Sequence, residues 1–237
     1  MSRTYSPFVK DDKDAQALLD VLVSKSADVA QYRDAMRALG AHLALGLKPR
    51  LGTPDDHDIC VVCTVEDADF LARGVLEGLA DQGLSQKTRM LCLWNGKVRE
   101  SGVSISPVLR QYKEVFDPEG TVFIIVKSII SGACVVKTNL TRAISKAEPS
   151  KIFVVAPVML EGAEKRLEDE FPSGIASKFE YVWFATDTDK DGENVVPGIG
   201  GSVYDRLGLG NEDQKNKYMP EIVKERRSHY AAVAALA

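Results

Sequence analysis

The stretch TVFIIVKSIISGACVV, residues 121–136, carries most of the information about the fold. It begins with a continuous run of β-branched and aromatic residues, which indicates a strand that is buried on both faces. Ser131 and Gly132 then form a polar break, and a helical pattern begins near Cys134. The apolar run is too short to cross a bilayer, and Lys127 interrupts it. The stretch therefore predicts a strand, a loop and a helix inside a soluble domain.

Further predicted strands and helices flank this stretch on both sides. Further apolar runs predict strands in HDICVVCTV (57–65), TRMLCLWN (88–95), KIFVVAPVM (151–159) and the first part of 178–198. Periodic segments predict helices over 11–27, 28–47, 66–84, 134–148 and 161–172. We expect a loop, with at most a helical turn, over 106–120. Because continuous apolar strands alternate with helices, we predict an α/β fold with a mostly parallel sheet and helices on both faces.

Length and composition limit the domain organisation. The chain has 237 residues, which suits one large domain with appendages. We assign residues 1–210 to this domain, with a helical N-terminal part over 1–50. The composition changes in 211–237, where we expect a C-terminal tail with a separate helix after Pro220.

Charge and patterning also exclude several classes of partner. The net charge of −4 argues against nucleic-acid binding driven by phosphate neutralisation. The first residues contain no apolar segment of the signal-peptide kind, and no run is long enough to span a membrane. We therefore expect a cytoplasmic protein whose partners are neither nucleic acid nor membrane.

The motif Cys60-Val-Val-Cys63 lies within a predicted strand. Residues three apart in a strand point to opposite faces, so these two thiols should share neither a metal ion nor a disulfide. We expect both to be buried and reduced, because free cysteine is commonly a small core residue.

A second informative stretch is NVVPGIGGSVYDRLG, residues 194–208, which has three glycines and a proline within five residues. Glycine allows sharp turns and lets the backbone approach a ligand closely. The stretch is therefore either a plain turn or a set of exposed backbone groups around a flat ligand. Ligands of parallel sheets bind at the carboxyl ends of the strands, where this stretch and the Ser131 loop both fall.

Taken in order, these segments resemble the uracil phosphoribosyltransferase family. VPGIGG followed by DRLG is similar to the closing signature of that family, and the similarity in order and spacing covers about residues 7 to 209. The resemblance implies a type I phosphoribosyltransferase fold. It also implies transfer of a phosphoribosyl group from phosphoribosyl pyrophosphate to uracil, with Mg²⁺ as the cofactor and a dimer or larger homo-oligomer as the assembly.

The resemblance assigns two groups of site residues. It implies binding of the ribose 5-phosphate by Ser131, Gly132, Ala133 and Cys134. It implies recognition of the base by the backbone of Val196, Pro197, Gly198, Ile199 and Gly200. Lys127, beside the phosphate loop, is either a phosphate ligand or a solvent-facing lysine at a strand end.

The residues that handle the donor differ from the family pattern. Glu66 stands in place of an arginine, Val126 in place of an aspartate, and Gly201 in place of an acidic residue. Three carboxylates, Glu66, Asp67 and Asp69, follow the strand at 57–65. Thr64 and Asp67 have the spacing of a helix capping box, and the alternative is a metal site.

These differences leave several functions open. The leading hypothesis is a uracil-phosphoribosyltransferase-like glycosyl transfer that involves a pyrimidine base or nucleotide and an altered donor site. The alternatives are a catalytically silent paralogue that binds a nucleotide or a partner protein, as a sensor or scaffold, and a changed reaction on a preformed nucleotide or nucleoside.

We predict that the protein forms a homodimer or a larger homo-oligomer. The tail ends in YAAVAALA (230–237), whose apolar side chains favour burial in an interface. Sedimentation at micromolar protein concentration should therefore show a species at least twice the monomer mass, and a clean monomer would contradict the prediction.

Overall fold

The computed structural model describes residues 3–51, 57–100 and 103–236, and it describes their side chains except at 99, 100, 103, 104 and from 230 onward. The strands are β1 (Arg3–Tyr5), β2 (Ile59–Thr64), β3 (Thr88–Asn95), β4 (Val98–Glu100), β5 (Val103–Ile105), β6 (Val108–Lys113), β7 (Val122–Val126), β8 (Ile129–Ile130), β9 (Lys151–Leu160), β10 (Phe179–Asp187), β11 (Asp189–Asp191) and β12 (Asn194–Val196). The α-helices are α1 (Lys13–Val23), α2 (Val29–Leu47), α3 (Val65–Asp67), α4 (Arg73–Asp81), α5 (Cys134–Ile144), α6 (Ala163–Glu168), α7 (Ser173–Ala176), α8 (Val203–Arg206), α9 (Glu212–Lys217) and α10 (Glu221–Leu236). A π-helical turn, Ala68–Ala72, joins α3 to α4, and a 3₁₀ turn, Ser85–Lys87, precedes β3.

The main sheet has the strand order β1-β10-β9-β7-β2-β3-β6, and the short β8 also pairs with β9. The five central strands are parallel, while β1 and β6 add to the two edges in antiparallel orientation. Two small hairpins, β4–β5 and β11–β12, stand apart from this sheet. The predicted fold class, an α/β domain with a mostly parallel sheet and helices on both faces, is confirmed.

Helices cover both faces of the sheet, and an apolar layer lies between the sheet and the helices on each face. Residues of α1, α2 and α4 pack against one face together with Val61 and Cys63, and residues of α5 and α6 pack against the other with Cys60 and Val62. The prediction that Cys60 and Cys63 point to opposite faces is confirmed, and both thiols are free and buried.

The edge strand β6 corrects one prediction, since residues 106–120 were expected to form a loop. Val108–Lys113 pairs with β3 along an antiparallel register that includes Cys92 opposite Tyr112. Most side chains of β6 are exposed or half-buried, because the strand lies at the edge of the sheet. The sequence of β6 therefore has no continuous apolar run from which a strand could be predicted.

The C-terminal segment packs on the same core as the rest of the chain. The expected helix after Pro220 is α10, and its buried residues Ile222 and Val223 lie in the layer that contains α2. The Asp69 carboxylate accepts hydrogen bonds from the amides of Glu221 and Ile222, each at 2.8 Å, and so caps the first turn of α10. The side chains of YAAVAALA lie outside the described residues. No helix in the described ranges is both long and apolar enough to cross a membrane.

Two glycines allow α2 to approach the π-turn and α4. A Cβ atom added at Gly74 would lie 1.9 Å from the carbonyl oxygen of Arg37, and one added at Gly40 would lie 2.1 Å from that of Leu71. These contacts are with backbone, which cannot move aside without separating the helices. The layer that supports β2 therefore depends on having no side chain at either position.

We predict that Gly74→Ala lowers the free energy of unfolding by about 1–3 kcal/mol or more, because the added methyl group overpacks the helix contact. Chemical denaturation measures the change. The matched control is Gly174→Ala in α7, where nothing lies within 4 Å of an added Cβ atom. Equal stability of the two variants would show that the helices can separate at no cost.

Candidate functional site

The carboxyl ends of β2 and β7 define the place where a ligand is expected in this sheet. From β2 the chain proceeds to its neighbour β3 on one side, and it later returns to β7 on the other side. The loops that leave β2 and β7 therefore diverge and open a crevice between them. Crevices at such switch points are the usual ligand sites of open α/β sheets.

A buried ion cluster joins the two strand ends at this crevice. The Lys127 ammonium, just after β7, lies 3.1 Å from Glu66 Oε1 and 3.0 Å from Asp67 Oδ2, which follow β2. Only 12% of the Lys127 side chain is exposed, so the alternative of a solvent-facing lysine is wrong. Both carboxylates neutralise the Lys127 ammonium. Lys127 therefore lies at the crevice as a member of an ion cluster and not as a free cation.

The predicted capping box at Thr64 is also wrong. Thr64 is the N-cap residue of α3, but its side chain makes no hydrogen bond to the helix backbone. Its hydroxyl donates to Asp67 Oδ2 at 2.8 Å. The two side chains at capping-box spacing therefore bond to each other and help to hold Asp67 towards Lys127.

The cluster shifts the pKa values of its members in different directions. Burial lowers the pKa of Lys127, but the charges of Asp67 and Glu66 outweigh burial and raise it above its ordinary value. Burial raises the pKa of Glu66, and the charges of Lys127 and Lys215 reverse this effect, so it is lowered. Burial dominates at Asp67, whose pKa is raised. The cluster thus holds Glu66 as an anion beside two ammonium groups.

Lys215, the second ammonium group, comes from helix α9. It is 2% exposed, and its Nζ lies 3.8 Å from Glu66 Oε2 and donates to the Asn95 carbonyl oxygen at 3.1 Å. It also lies 4.7 Å from the centre of the Tyr204 ring. Sequence reasoning missed Lys215 because it follows the segment that resembles a known family. The Asn211 and Gln214 capping box marks the start of α9, but it gives no sign of this contact.

A cleft extends from the ion cluster towards the loop before α5. One part has a volume of about 480 Å³, and an adjoining part of about 320 Å³ shares Ser131, Gly132 and Cys134 with it. The structure brings all five predicted phosphate ligands to this cleft: Lys127, Ser131, Gly132, Ala133 and Cys134. Ile199 and the segment from Gly201 to Tyr204 line the same cleft. Phosphate binding by the loop remains a prediction.

The glycine stretch is held mainly by contacts within the protein. The Gly198 amide donates to Asp187 Oδ2 at 2.8 Å, and the Gly198 carbonyl accepts from Arg3 Nη2 at 2.5 Å. The Tyr32 hydroxyl donates to the carbonyl of Ile199 at 2.9 Å. Several backbone groups that were expected to read a base are therefore already engaged.

Steric contacts explain the glycines themselves. A Cβ atom added at Gly200 would lie 2.1 Å from the Leu22 carbonyl oxygen, and one added at Gly198 would lie 2.3 Å from that of Val195. Both residues also have positive φ angles, 57° at Gly198 and 79° at Gly200. Pro197 follows a cis peptide bond after Val196. Of the five predicted base-binding residues, Ile199 lines the cleft, and base recognition remains a prediction.

The carboxylates near the cleft do not form a metal centre. Asp69 accepts hydrogen bonds from the start of α10, and Glu66 and Asp67 are paired with Lys127. Among the described residues, no group of three or more His, Cys, Asp or Glu side chains is arranged to hold a metal ion. The Mg²⁺ that the family resemblance implies therefore has no ready set of protein ligands here, and it remains a prediction.

Comparisons with known proteins identify similar folds. No family model matches the chain, and no curated protein matches its sequence. Among solved structures, the AQ2163 protein from Aquifex aeolicus matches with a TM-score of 0.61 at 18% identity, over 81% of this chain and 93% of that one. The TT1426 protein from Thermus thermophilus matches with a TM-score of 0.45 at 15% identity, over 78% of this chain and 95% of that one.

A hypoxanthine-guanine phosphoribosyltransferase from L. donovani matches with a TM-score of 0.39 at 18% identity, over 65% of this chain and 77% of that one. Identities at this level establish similarity of fold alone. The fold of this chain is thus similar to that of the Aquifex protein along most of both chains, and membership of the uracil phosphoribosyltransferase family remains a prediction.

We predict that Lys127→Met lowers the free energy of unfolding by about 3–5 kcal/mol, because it leaves two buried carboxylates without their shared cation. Denaturant titration at neutral pH measures the change. The control is Lys137→Met, which removes a half-exposed ion pair with Glu170 on the surface and should have little effect. An equally small change in the free energy of unfolding for Lys127→Met would show that the ion cluster contributes little to stability.

Proposed function

We propose that the cleft binds a pyrimidine base or nucleotide and that the protein catalyses a glycosyl transfer similar to that of uracil phosphoribosyltransferases, with an altered donor site. The observation that carries this proposal is the position of the Ser131–Cys134 loop. This loop lines a cleft at the switch point of the sheet together with Ile199 and Tyr204.

The loop has the properties of an anion site. It leads into α5, whose first-turn amides and helix dipole favour a negative group. No acidic residue occurs between 121 and 136. An added Cβ atom at Gly132 would have nothing within 4 Å, so a ligand can approach the backbone closely. A phosphate on the ligand would therefore be stabilised at this end of the cleft.

The donor end of the cleft has a different charge pattern. Glu66 lines the cleft, and a diphosphate at this place would face its carboxylate. Two unit charges of like sign about 4 Å apart repel by roughly 4 kcal/mol at an effective dielectric constant of 20. Lys127 and Lys215 offset this repulsion only in part, because both already contact Glu66. We therefore expect ordinary transfer from phosphoribosyl pyrophosphate to uracil to be weak or absent.

The residues of this chain would act mainly by positioning. In a glycosyl transfer the base nitrogen must be aligned with the anomeric carbon, and the departing group must be stabilised by fixed dipoles or charges. The Ser131–Cys134 loop would hold the phosphate end of the ligand, and the segment from Ile199 to Tyr204 would form the wall against the base. Mg²⁺, if bound, would be held chiefly by the phosphates of the ligand.

A specific observation favours the second candidate function, a catalytically silent paralogue that senses a nucleotide or serves as a scaffold. The backbone groups of Gly198 and Ile199 are engaged by Asp187, Arg3 and Tyr32. Lys127 is likewise neutralised within the protein. Such internal pairing stabilises the fold and leaves fewer groups for chemistry.

Calorimetric titration with uridine, cytidine and inosine monophosphates tests the binding step. For the nucleotide that binds most tightly, we expect the affinity of Gly132→Asp to be at least about tenfold lower than that of Gly132→Asn. Only the aspartate variant places a negative charge beside the phosphate. The two variants have nearly equal side-chain volumes, and unchanged melting temperatures would confirm that both fold. Equal affinities for the two variants would show that the phosphate does not bind at this loop.

An assay for uridine monophosphate formation from uracil, phosphoribosyl pyrophosphate and Mg²⁺ tests the altered donor site. We expect little or no product, because of the repulsion by Glu66. Robust turnover would show that the donor site is intact. Nucleotide binding without transfer from any phosphoribosyl donor would favour the silent paralogue instead.

A further inference from the structure

We propose that Glu66 Oε2 and Asn95 Oδ1 form a pair of hydrogen-bond acceptors that binds the two adjacent hydroxyl groups of a ribose. This inference rests on the proposed function and adds to it the group by which the ligand is recognised. It places the sugar hydroxyls beside the ion cluster, at the position where a diphosphate would otherwise lie.

The two acceptor atoms are buried and have no hydrogen-bond partner among the described residues. Glu66 is 3% exposed and Asn95 is 5% exposed. A buried acceptor without a partner costs about 1–3 kcal/mol, and more when it is charged. Native proteins leave few such atoms, and a ligand that donates hydrogen bonds to both would remove the cost.

Neighbouring contacts fix the orientation of the Asn95 side chain. Its amide nitrogen donates to the Ser106 carbonyl oxygen at 3.2 Å and to Asn139 Oδ1 at 2.8 Å. A carbonyl oxygen can only accept, so the Asn95 nitrogen must face Ser106. The Oδ1 atom of Asn95 is therefore an acceptor, and no donor among the described residues satisfies it.

Both residues line the same part of the cleft, and Lys215 connects them. Its ammonium lies 3.8 Å from Glu66 Oε2 and 3.1 Å from the backbone oxygen of Asn95. The two acceptors thus belong to one small polar site at the end of β2 and β3. A pair of neighbouring hydroxyl groups supplies the two donors that these acceptors lack.

The charges around this site exclude other kinds of ligand group. An anion would meet Glu66, and behind it Asp67. A cation would meet Lys127 and Lys215, which already contact Glu66. An uncharged group with hydrogen-bond donors satisfies the acceptors without adding a like charge. A vicinal diol is such a group, and ribose is the one that a nucleoside or nucleotide carries.

Calorimetric titration with uridine, 2′-deoxyuridine and 2′,3′-dideoxyuridine tests the inference without involving a phosphate. A hydrogen bond to a charged acceptor is worth about 1.5–3 kcal/mol, so we expect uridine to bind at least about tenfold more tightly than the dideoxy compound. Glu66→Gln should reduce this ratio to below about threefold, because it removes the charged acceptor. The control, Glu193→Gln, changes a carboxylate elsewhere in the same cleft and should keep the ratio of the unmodified protein.

Three results would overturn the inference. Equal affinities for the three nucleosides would show that the hydroxyls are not recognised, and the proposed function would still stand if uridine monophosphate binds. A ratio that survives Glu66→Gln would place the hydroxyls elsewhere. Failure of every nucleoside and nucleotide to bind at millimolar concentration would overturn both proposals. If Glu66→Gln does not fold, equal affinities of the unmodified protein for the three nucleosides would still overturn the inference.

Discussion

The contact between Lys127 and the two carboxylates after β2 is the interaction on which the rest of the site depends. It joins the carboxyl ends of β2 and β7, the two strands at the switch point of the sheet. The two carboxylates are buried and the Lys127 side chain is largely buried, so separating the ammonium from the carboxylates has a large cost in free energy. Glu66 also lies 3.8 Å from the ammonium of Lys215, through which the C-terminal segment reaches the cleft. The cleft is therefore organised around a neutralised cluster and differs from a simple basic pocket.

This organisation separates the cleft into two ends of different character. The end at the Ser131 loop offers backbone and the start of a helix, which favour a negative group. The end at Glu66 offers acceptors and balanced charges, which favour an uncharged group. A site that is meant to hold a diphosphate normally concentrates donors and positive charge at that place. The difference between the two ends is the physical basis for expecting a ligand with a single phosphate.

The sequence predicted the parts of the fold that depend on local pattern. The continuous apolar runs gave the central parallel strands, and the periodic segments gave the helices that cover them. The edge strand Val108–Lys113 was missed because its pairing with β3 requires no apolar pattern. The position of the Ser131–Cys134 loop in the cleft could be predicted, whereas the pairing of Lys127 with Glu66 and the contribution of Lys215 could not. These contacts join residues far apart in the chain, and no spacing rule connects them.

The contact between Lys215 and Glu66 has a consequence for the order in which the cleft is assembled during synthesis. Residues 66 and 127 emerge from the ribosome well before residue 215, and domains fold largely as their segments become available. Glu66 and Lys127 can thus pair while the cleft is still open on the side of α9. Lys215 and the Tyr218 carbonyl, which accepts from Trp94 at 2.9 Å, arrive last and complete the wall. A nascent chain therefore has the crevice between Glu66 and Lys127 before Lys215 closes it, and the proposed ligand would meet all of its contacts only after residue 215 has left the ribosome.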